Sequence, residues 1–308
     1  MWRAGPLTVL SAINSPAGGR SNSLYALVAL LLTTGCAAVP FEQTGALSSY
    51  ASLAPADGVL TRAKVSVNKS DVLAAKAIRI VPTSFSEAAA RAGLSETQRQ
   101  MVANAIDRSM CIGLSDRFQI VGPGQPADLS VHAVITHVGL TDETMAGVSK
   151  AVSVGATVVE KVFVPVPIPT PSVRIPIGLG GLSVEAEALD QQRRQHAAMV
   201  WARGADAFTS KPKVSTAGDA YDLAKSFADD FSKLLVTGSS PFRTMPSLPS
   251  MHKVGSMLGG APKEAACDAF GRGPGVTGLV ADTIGLPPEW TDKGTGVAPS
   301  ALADNSLQ

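Results

Sequence analysis

Glu185 and Glu187 stand two apart in Val184-Glu185-Ala186-Glu187-Ala188. That spacing puts both carboxylates on one face of a strand, where such a pair can act as general acid and base or hold a hard cation. Alternation with alanine and valine is also the pattern of a strand with one wet face, and the expectation is that the two glutamates are solvated. A metal centre needs convergent His, Cys, Asp or Glu, yet His132, His137, His196 and His252 are scattered, and no HExxH or CxxC occurs. His132 and His137 lie five apart on one predicted strand, which places them on opposite faces. Ser66-Val67-Asn68-Lys69 has the spacing of a serine nucleophile with a lysine base, but the companion SDN and KTG motifs are absent, as is GxSxG. Gly178-Leu179-Gly180-Gly181 runs into a strand instead of a helix, so it presents no helix N-terminus to a phosphate and reads as a turn. No catalytic, cofactor-binding or metal-binding residue is assigned from the sequence.

The cysteines carry the remaining chemistry. Leu24 to Leu32 is an unbroken apolar run preceded by Arg20 and followed by Thr33-Thr34-Gly35-Cys36, the order of a secretory signal over residues 1–35. Nine apolar residues fall well short of the ~20 a helix needs to cross a bilayer. Thr34-Gly35-Cys36 resembles the bacterial lipobox, with Thr33 where a leucine normally stands, and the resemblance implies acylation of the Cys36 sulfur, cleavage before it and acylation of the new amino terminus. Each buried methylene is worth ~0.8 kcal/mol, so several acyl chains hold a protein on a membrane. Ala37, where an aspartate would retain a lipoprotein at the inner membrane, implies the outer membrane. Export leaves Cys111 and Cys267 as the two remaining thiols in an oxidising compartment. Either they pair as a disulfide, or Cys111 is a small core hydrophobe and Cys267 a free thiol.

Loss of residues 1–35 removes Arg3 and Arg20 and no acid, so the 26 basic residues fall by two against 25 acidic ones, a net charge of about −1. No Lys/Arg run occurs, and a nucleic-acid partner is therefore not expected. The expected partners are a membrane, through lipid on Cys36, and another envelope protein.

These residues need elements to position them. Residues 36–70 read as a lipidated tether, without sustained period. Ala77 to Val81 is a short β-branched strand stopped by Pro82. Ser95-Glu96-Thr97-Gln98 is a capping box opening a helix whose apolar face holds Val102, Ala105, Ile106, Cys111 and Leu114. Phe118 to Val121 is a strand ended by Gly122-Pro123-Gly124. Leu129 to Val138 alternates as a longer one. Val184 to Ala188 and Ala198 to Ala202 form a hairpin across the polar loop Asp190 to His196. Leu223, Phe227, Phe231 and Leu234 step along a second amphipathic helix. The order predicts one α+β domain over residues 71–236, a mainly antiparallel sheet covered by two helices.

Residues 147–181 form an apolar insertion with Pro165, Pro167, Pro169, Pro171 and Pro176, which favours polyproline II over a central strand and suits either a loop draped on the domain or a patch contacting membrane or a partner. Residues 237–308 hold 8 Pro and 11 Gly in 72 positions, the composition of a poorly packed, partly disordered tail. Within it, Cys267 to Gly271 and Gly285 to Asp292 are richer in anchors and fit short docking elements.

Cys36, the stretch Gly45-Ala46-Leu47-Ser48-Ser49-Tyr50-Ala51-Ser52-Leu53 and the strand Val184 to Asp190 together resemble a family of bacterial lipoproteins catalogued as domain of unknown function 3313, over about residues 44–236. Here Ala46 stands where the family usually has an aromatic residue, and the loop after Asp190 lacks its usual Thr-Gly turn. The resemblance implies an envelope location and supplies no catalytic residues. The expected role is a non-catalytic interaction or scaffold module of the envelope. A hydrolase with a site assembled from distant strands, and a protein binding lipid or a small apolar ligand, are the competing classes. A pocket holding mutually hydrogen-bonded polar side chains would favour the hydrolase.

Overall fold

The computed structural model describes residues 39–151, 174–243, 251–292 and 294. Its strands are β1 (Ala54–Pro55), β2 (Arg62–Val67), β3 (Ala77–Ile80), β4 (Ser84–Phe85), β5 (Gln119–Ile120), β6 (Leu129–Gly139), β7 (Gly181–Leu189) and β8 (Gln195–Gly204). The helices are α1 (Lys69–Ala74), α2 (Glu87–Ala90), α3 (Glu96–Leu114), α4 (residues 143–151), α5 (Gly218–Thr237), α6 (Met251–Met257) and α7 (Gly275–Ile284). All eight strands join one sheet in the order β1-β2-β8-β7-β6-β3-β5, with β4 also on β6. Pairing is antiparallel from β1 through β6 and parallel where β3 meets β5 and β6 and where β4 meets β6. The chain is thus a mixed α/β fold on a mostly antiparallel sheet.

Local sequence explains the long helices. Ser95 caps α3, its side chain accepting from the Gln98 N–H while the Gln98 side chain accepts from the Ser95 N–H. Gly238 ends α5 in the left-handed conformation, at φ 61°, which glycine adopts without strain. The apolar stripes of α3 and α5 pack against each other and against the sheet. Ile106, Met110, Phe227 and Phe231 are fully buried, together with Val184 and Trp201 from the strands. The Trp201 indole lies edge-on to Phe227, 5.7 Å between centroids, and donates to Asp230 at 2.9 Å. A buried indole N–H left without an acceptor would cost ~1–3 kcal/mol, so Asp230 ties the helix to the strand as well as packing beside it.

The opposite sheet face is not wet. Residues 41–53 lie across β7 and β8, where Leu47 packs with Ala198 and Val200, and with Phe41, Tyr50 and Leu53 around them. Every residue of β7 is buried as a result. The tether expected over residues 36–70 is therefore, from Val39 onward, part of the domain: it supplies this cover, then β1 and β2. Ala63, Val65 and Val67 alternate with Arg62, Lys64 and Ser66 in β2, a period of two too short to stand out among the small and polar residues before it.

The extension also departs from expectation. Within residues 251–292 the chain forms α6 and α7 and 3-10 turns at Ala265–Phe270 and Pro288–Trp290, and Cys267 and Phe270 enter the main core. These two turns are the stretches rich in anchors. Residues 1–38 and 152–173, including Cys36, the signal segment and the proline run of the insertion, lie outside the described residues.

Candidate functional site

Glu185 and Glu187 face the cover on β7, and both are almost completely buried. Burying two carboxylates on one strand face is costly unless each is hydrogen-bonded. The cover provides all but one of the donors, and Gln195 of β8 the other. Glu185 accepts from the N–H of Thr44 at 2.7 Å and of Ala46 at 3.2 Å, and from the Tyr50 hydroxyl. Glu187 accepts from the Ser48 N–H at 2.9 Å, the Ser48 hydroxyl at 2.6 Å and the Gln195 amide at 2.7 Å. Burial, then the hydrogen bond to Glu185, raises the Tyr50 hydroxyl above its ordinary value, which keeps it a donor. The expected solvated face is thus a buried clamp. Through these bonds the carboxylates hold residues 44–50 in place.

The histidines also differ from expectation. His132 pairs with Glu187 and His137 with Ser183, both on the covered face of β7, so the two rings share one face. A register shift between Ile135 and His137 inserts one residue and resets the alternation. Burial lowers both imidazoles below their usual value, favouring the neutral form. His196 instead contacts Asp190 and Asp71 at 3.0 Å each. Among the described residues no three His, Cys, Asp or Glu gather as a metal set. The Ser66 hydroxyl bonds that of Ser52 at 2.8 Å, while Lys69 stands exposed at the start of α1.

Asp190 shapes the β7–β8 turn. It accepts from the N–H groups of Gln192 and Arg194, both at 2.9 Å, and from the Arg194 side chain; the bond to His196 first, then those from Arg194, hold its carboxyl well below the usual range. Arg193 takes φ 60° there, a conformation in which glycine would carry no strain.

Cys111 of α3 and Cys267 are joined in a disulfide with 5.7 Å between Cα atoms. Further along, Arg108 pairs with Asp292, which also accepts from the Tyr221 hydroxyl at 2.6 Å. Burial works against the Arg108 charge, but Asp292 outweighs it and holds the guanidinium ionised. Gln98 donates to Glu289 at 2.8 Å. Between α3, α5, α6 and α7 lies a cavity of about 480 Å³ with Ile112, Leu279 and Leu286 among its apolar lining. Its basic groups are already paired: Lys213 with Asp222 and Asp282, Lys225 with Asp222, and Lys253 with Asp229. The Arg108–Tyr221–Asp292 network, whose arginine and tyrosine line the cavity, is a set of mutually hydrogen-bonded polar side chains. It couples an arginine to an acid and a phenol that burial pushes upward, and it contains no nucleophile next to a base.

Two other buried acids serve the frame. Asp219 accepts from Arg174 at 3.0 Å, from the Gly180 N–H at 2.8 Å and from the Thr141 hydroxyl at 2.9 Å, fixing both sides of the β6–β7 connection to α5. Asp107 accepts from the Thr83 N–H and hydroxyl, yet burial pushes its carboxyl up to about 7. Unfolded, the group titrates near 3.8. The folded state therefore binds the proton more tightly between these values. This contribution to stability is greatest below about pH 4 and falls by about 1.4 kcal/mol per unit up to about pH 7. Asp107→Asn is expected to flatten that slope in urea midpoints taken across pH; parallel profiles for the two proteins would contradict it.

Residues 42–231 match the family model described as protein of unknown function, DUF3313. No curated protein matches the chain. Among solved structures, the chain is similar to two PelC dodecamers from Paraburkholderia phytofirmans. One, a point variant, shows 9% identity and a TM-score of 0.31, and the other 8% and 0.32; each comparison covers 58% of this chain and 98% of that one. Likeness at this level sets neither the fold nor the assembly of this protein.

Proposed function

The chain belongs to the DUF3313 family of proteins of unknown function, and on that premise we propose that it is an outer-membrane lipoprotein, held by lipid on Cys36 and facing the periplasm, whose domain is a non-catalytic interaction or scaffold module. The observation that carries this reading is the buried clamp. Glu185 and Glu187 seat residues 44–50 on the sheet through backbone N–H groups and two hydroxyls. A lipid on Cys36 is then joined to a fixed part of the domain and not to a long leash. The acceptors that would make the two carboxylates catalytic are engaged by that seat. A disulfide between Cys111 and Cys267 suits an oxidising compartment and so supports export. Among the described residues no helix is long and apolar enough to cross a membrane.

Fractionation of cells expressing the full chain and its Cys36→Ser variant tests the anchor. The full chain is expected in the membrane fraction and the variant in the soluble one; retention of the variant would refute lipid as the cause. Crosslinking in intact envelopes, followed by pull-down of the lipidated protein, then reads the interaction role.

The cavity beside α7 favours a second reading, binding of a lipid or small apolar ligand, because its size lies within the range of small-molecule sites. Native mass spectrometry of the purified domain is expected to show a retained adduct on that reading, and a consistently bare mass would dismiss it.

A further inference from the structure

The sheet has two ends, and the chain toward Cys36 arrives at one of them. Val39 lies so close to Gly181 that a Cβ built on that glycine would sit 2.5 Å from the valine side chain, and Pro40 accepts from the Ser183 hydroxyl at 2.6 Å. Gly181 pairs with Gly139 on one side and Gly204 on the other, so the last residue of β6, the first of β7 and the last of β8 meet at this end. Arg62 pairs with Ala202, which brings the β1–β2 turn to the same end. Cys36 precedes Val39 by three residues, a length of chain that spans at most about 11 Å. A lipid on Cys36 therefore inserts close to this end and far from the other.

The connections gathered there carry exposed apolar side chains. Val59 is 100% exposed and Leu60 45% on the β1–β2 turn, Leu140 40% after β6, Val148 44% on α4, Ile177 55% before β7 and Phe208 75% after β8. The acids of these connections accept from backbone N–H groups: Asp57 from Ala63, Asp142 from Met145, the exposed Glu143 from Thr216, and Asp206 from Phe208 and Thr209. Six of the fourteen large apolar side chains exposed among the described residues lie on these connections, and apolar groups gathered on one surface mark a contact site.

We infer that this end of the sheet is a second membrane contact, in which these six side chains rest in the headgroup and upper acyl region of the bilayer that holds the lipid on Cys36. The inference rests on the lipoprotein reading of Cys36. The short reach from Cys36 to Val39 selects a lipid surface as the occupant: a bilayer lies within about 11 Å of this end whenever the anchor is inserted. Arg62, exposed at the same end and stacked over Phe41 at 4.6 Å, adds a cation suited to anionic headgroups.

Tryptophan placed at each end reads the contact. In a Trp290→Phe background, which leaves Trp201 as a buried constant among the described residues, Phe208→Trp and, separately, Ile177→Trp report on the proposed contact. Leu73→Trp reports on the far end, because α1 follows the last residue of β2. Each lipidated full-length protein is reconstituted in vesicles of phosphatidylethanolamine and phosphatidylglycerol with brominated acyl chains, and the mass of its Cys36 peptide is measured on the same sample. With lipid on Cys36, the new tryptophan at 208 or 177 is expected to lose most of its emission and that at 73 to keep it. With lipid present, equal loss at both ends, or no loss at either, overturns the contact and leaves the anchor standing. A Cys36 peptide without lipid overturns both.

Discussion

Replacing Glu185 and Glu187 together by alanine is expected to lift residues 41–53 off the sheet and lower stability by about 5 kcal/mol. Hydrogen bonds to charged groups contribute about 1.5–3 kcal/mol each, and six such bonds are lost, but the freed donors recover part of this in water once the segment detaches. The contact of Leu47 with Ala198 and Val200 opens with it. The effect is read in two ways: the urea midpoint falls, and limited proteolysis cuts within residues 41–53 while the disulfide-linked half stays resistant. The double variant Glu185→Gln, Glu187→Gln keeps one acceptor oxygen on each side chain, so it is expected to lie between the alanine variant and the parent. An unchanged midpoint with the segment still protected would mean that apolar packing alone holds the cover.

The second large effect is expected from Cys267→Ala. The disulfide spans 156 residues. In the chain-entropy account, closing a loop of that length removes about 5 kcal/mol of freedom from the unfolded chain. The substitution takes away only one sulfur atom and leaves Cys111 as a buried thiol in α3, so the loss measured by urea unfolding reports mainly the crosslink. The residues beyond it are then held by polar ties such as Arg108–Asp292 and Gln98–Glu289 and are expected to become the first protease site. Addition of reductant to the parent protein should reproduce the same shift. Identical midpoints for oxidised parent and variant would show that the link adds no stability.

The elements legible in the sequence are those whose side chains repeat with a period. Ser95 and Gln98 announce the start of α3, the steps through Leu223, Phe227, Phe231 and Leu234 give α5, and the alternation after Leu129 gives β6. The clamp is hidden for a physical reason. Residues 44–48 bind Glu185 and Glu187 mostly through backbone N–H groups, which every residue but proline carries, so no side-chain type betrays them. From the strand alone, a glutamate beneath such a cover is written in the same letters as one facing water. The shared face of His132 and His137 depends on one inserted residue, which shifts parity without any glycine or proline to mark it. The extension reads as loose because its elements are too short to show a period and its contacts reach back across as many as 191 residues, as between Gln98 and Glu289. Cys267, Phe270 and Asp292 are the available signals, an apolar pair and one of six acids in a stretch otherwise rich in glycine and proline.

The sheet begins and ends on strands of only two residues. β1 closes one side, and β5 and β4 close the other, with Pro55 removing one N–H from β1. A neighbouring chain that tried to add itself as a further strand would find room for about one ladder step on either side, too little to propagate. On the proposed lipid anchor, copies diffusing in one membrane plane meet each other repeatedly and in a fixed orientation, the condition under which open strand edges template fibres. Among the described residues both margins therefore offer little to a further strand, which turns association of copies toward helices, loops and the sheet ends.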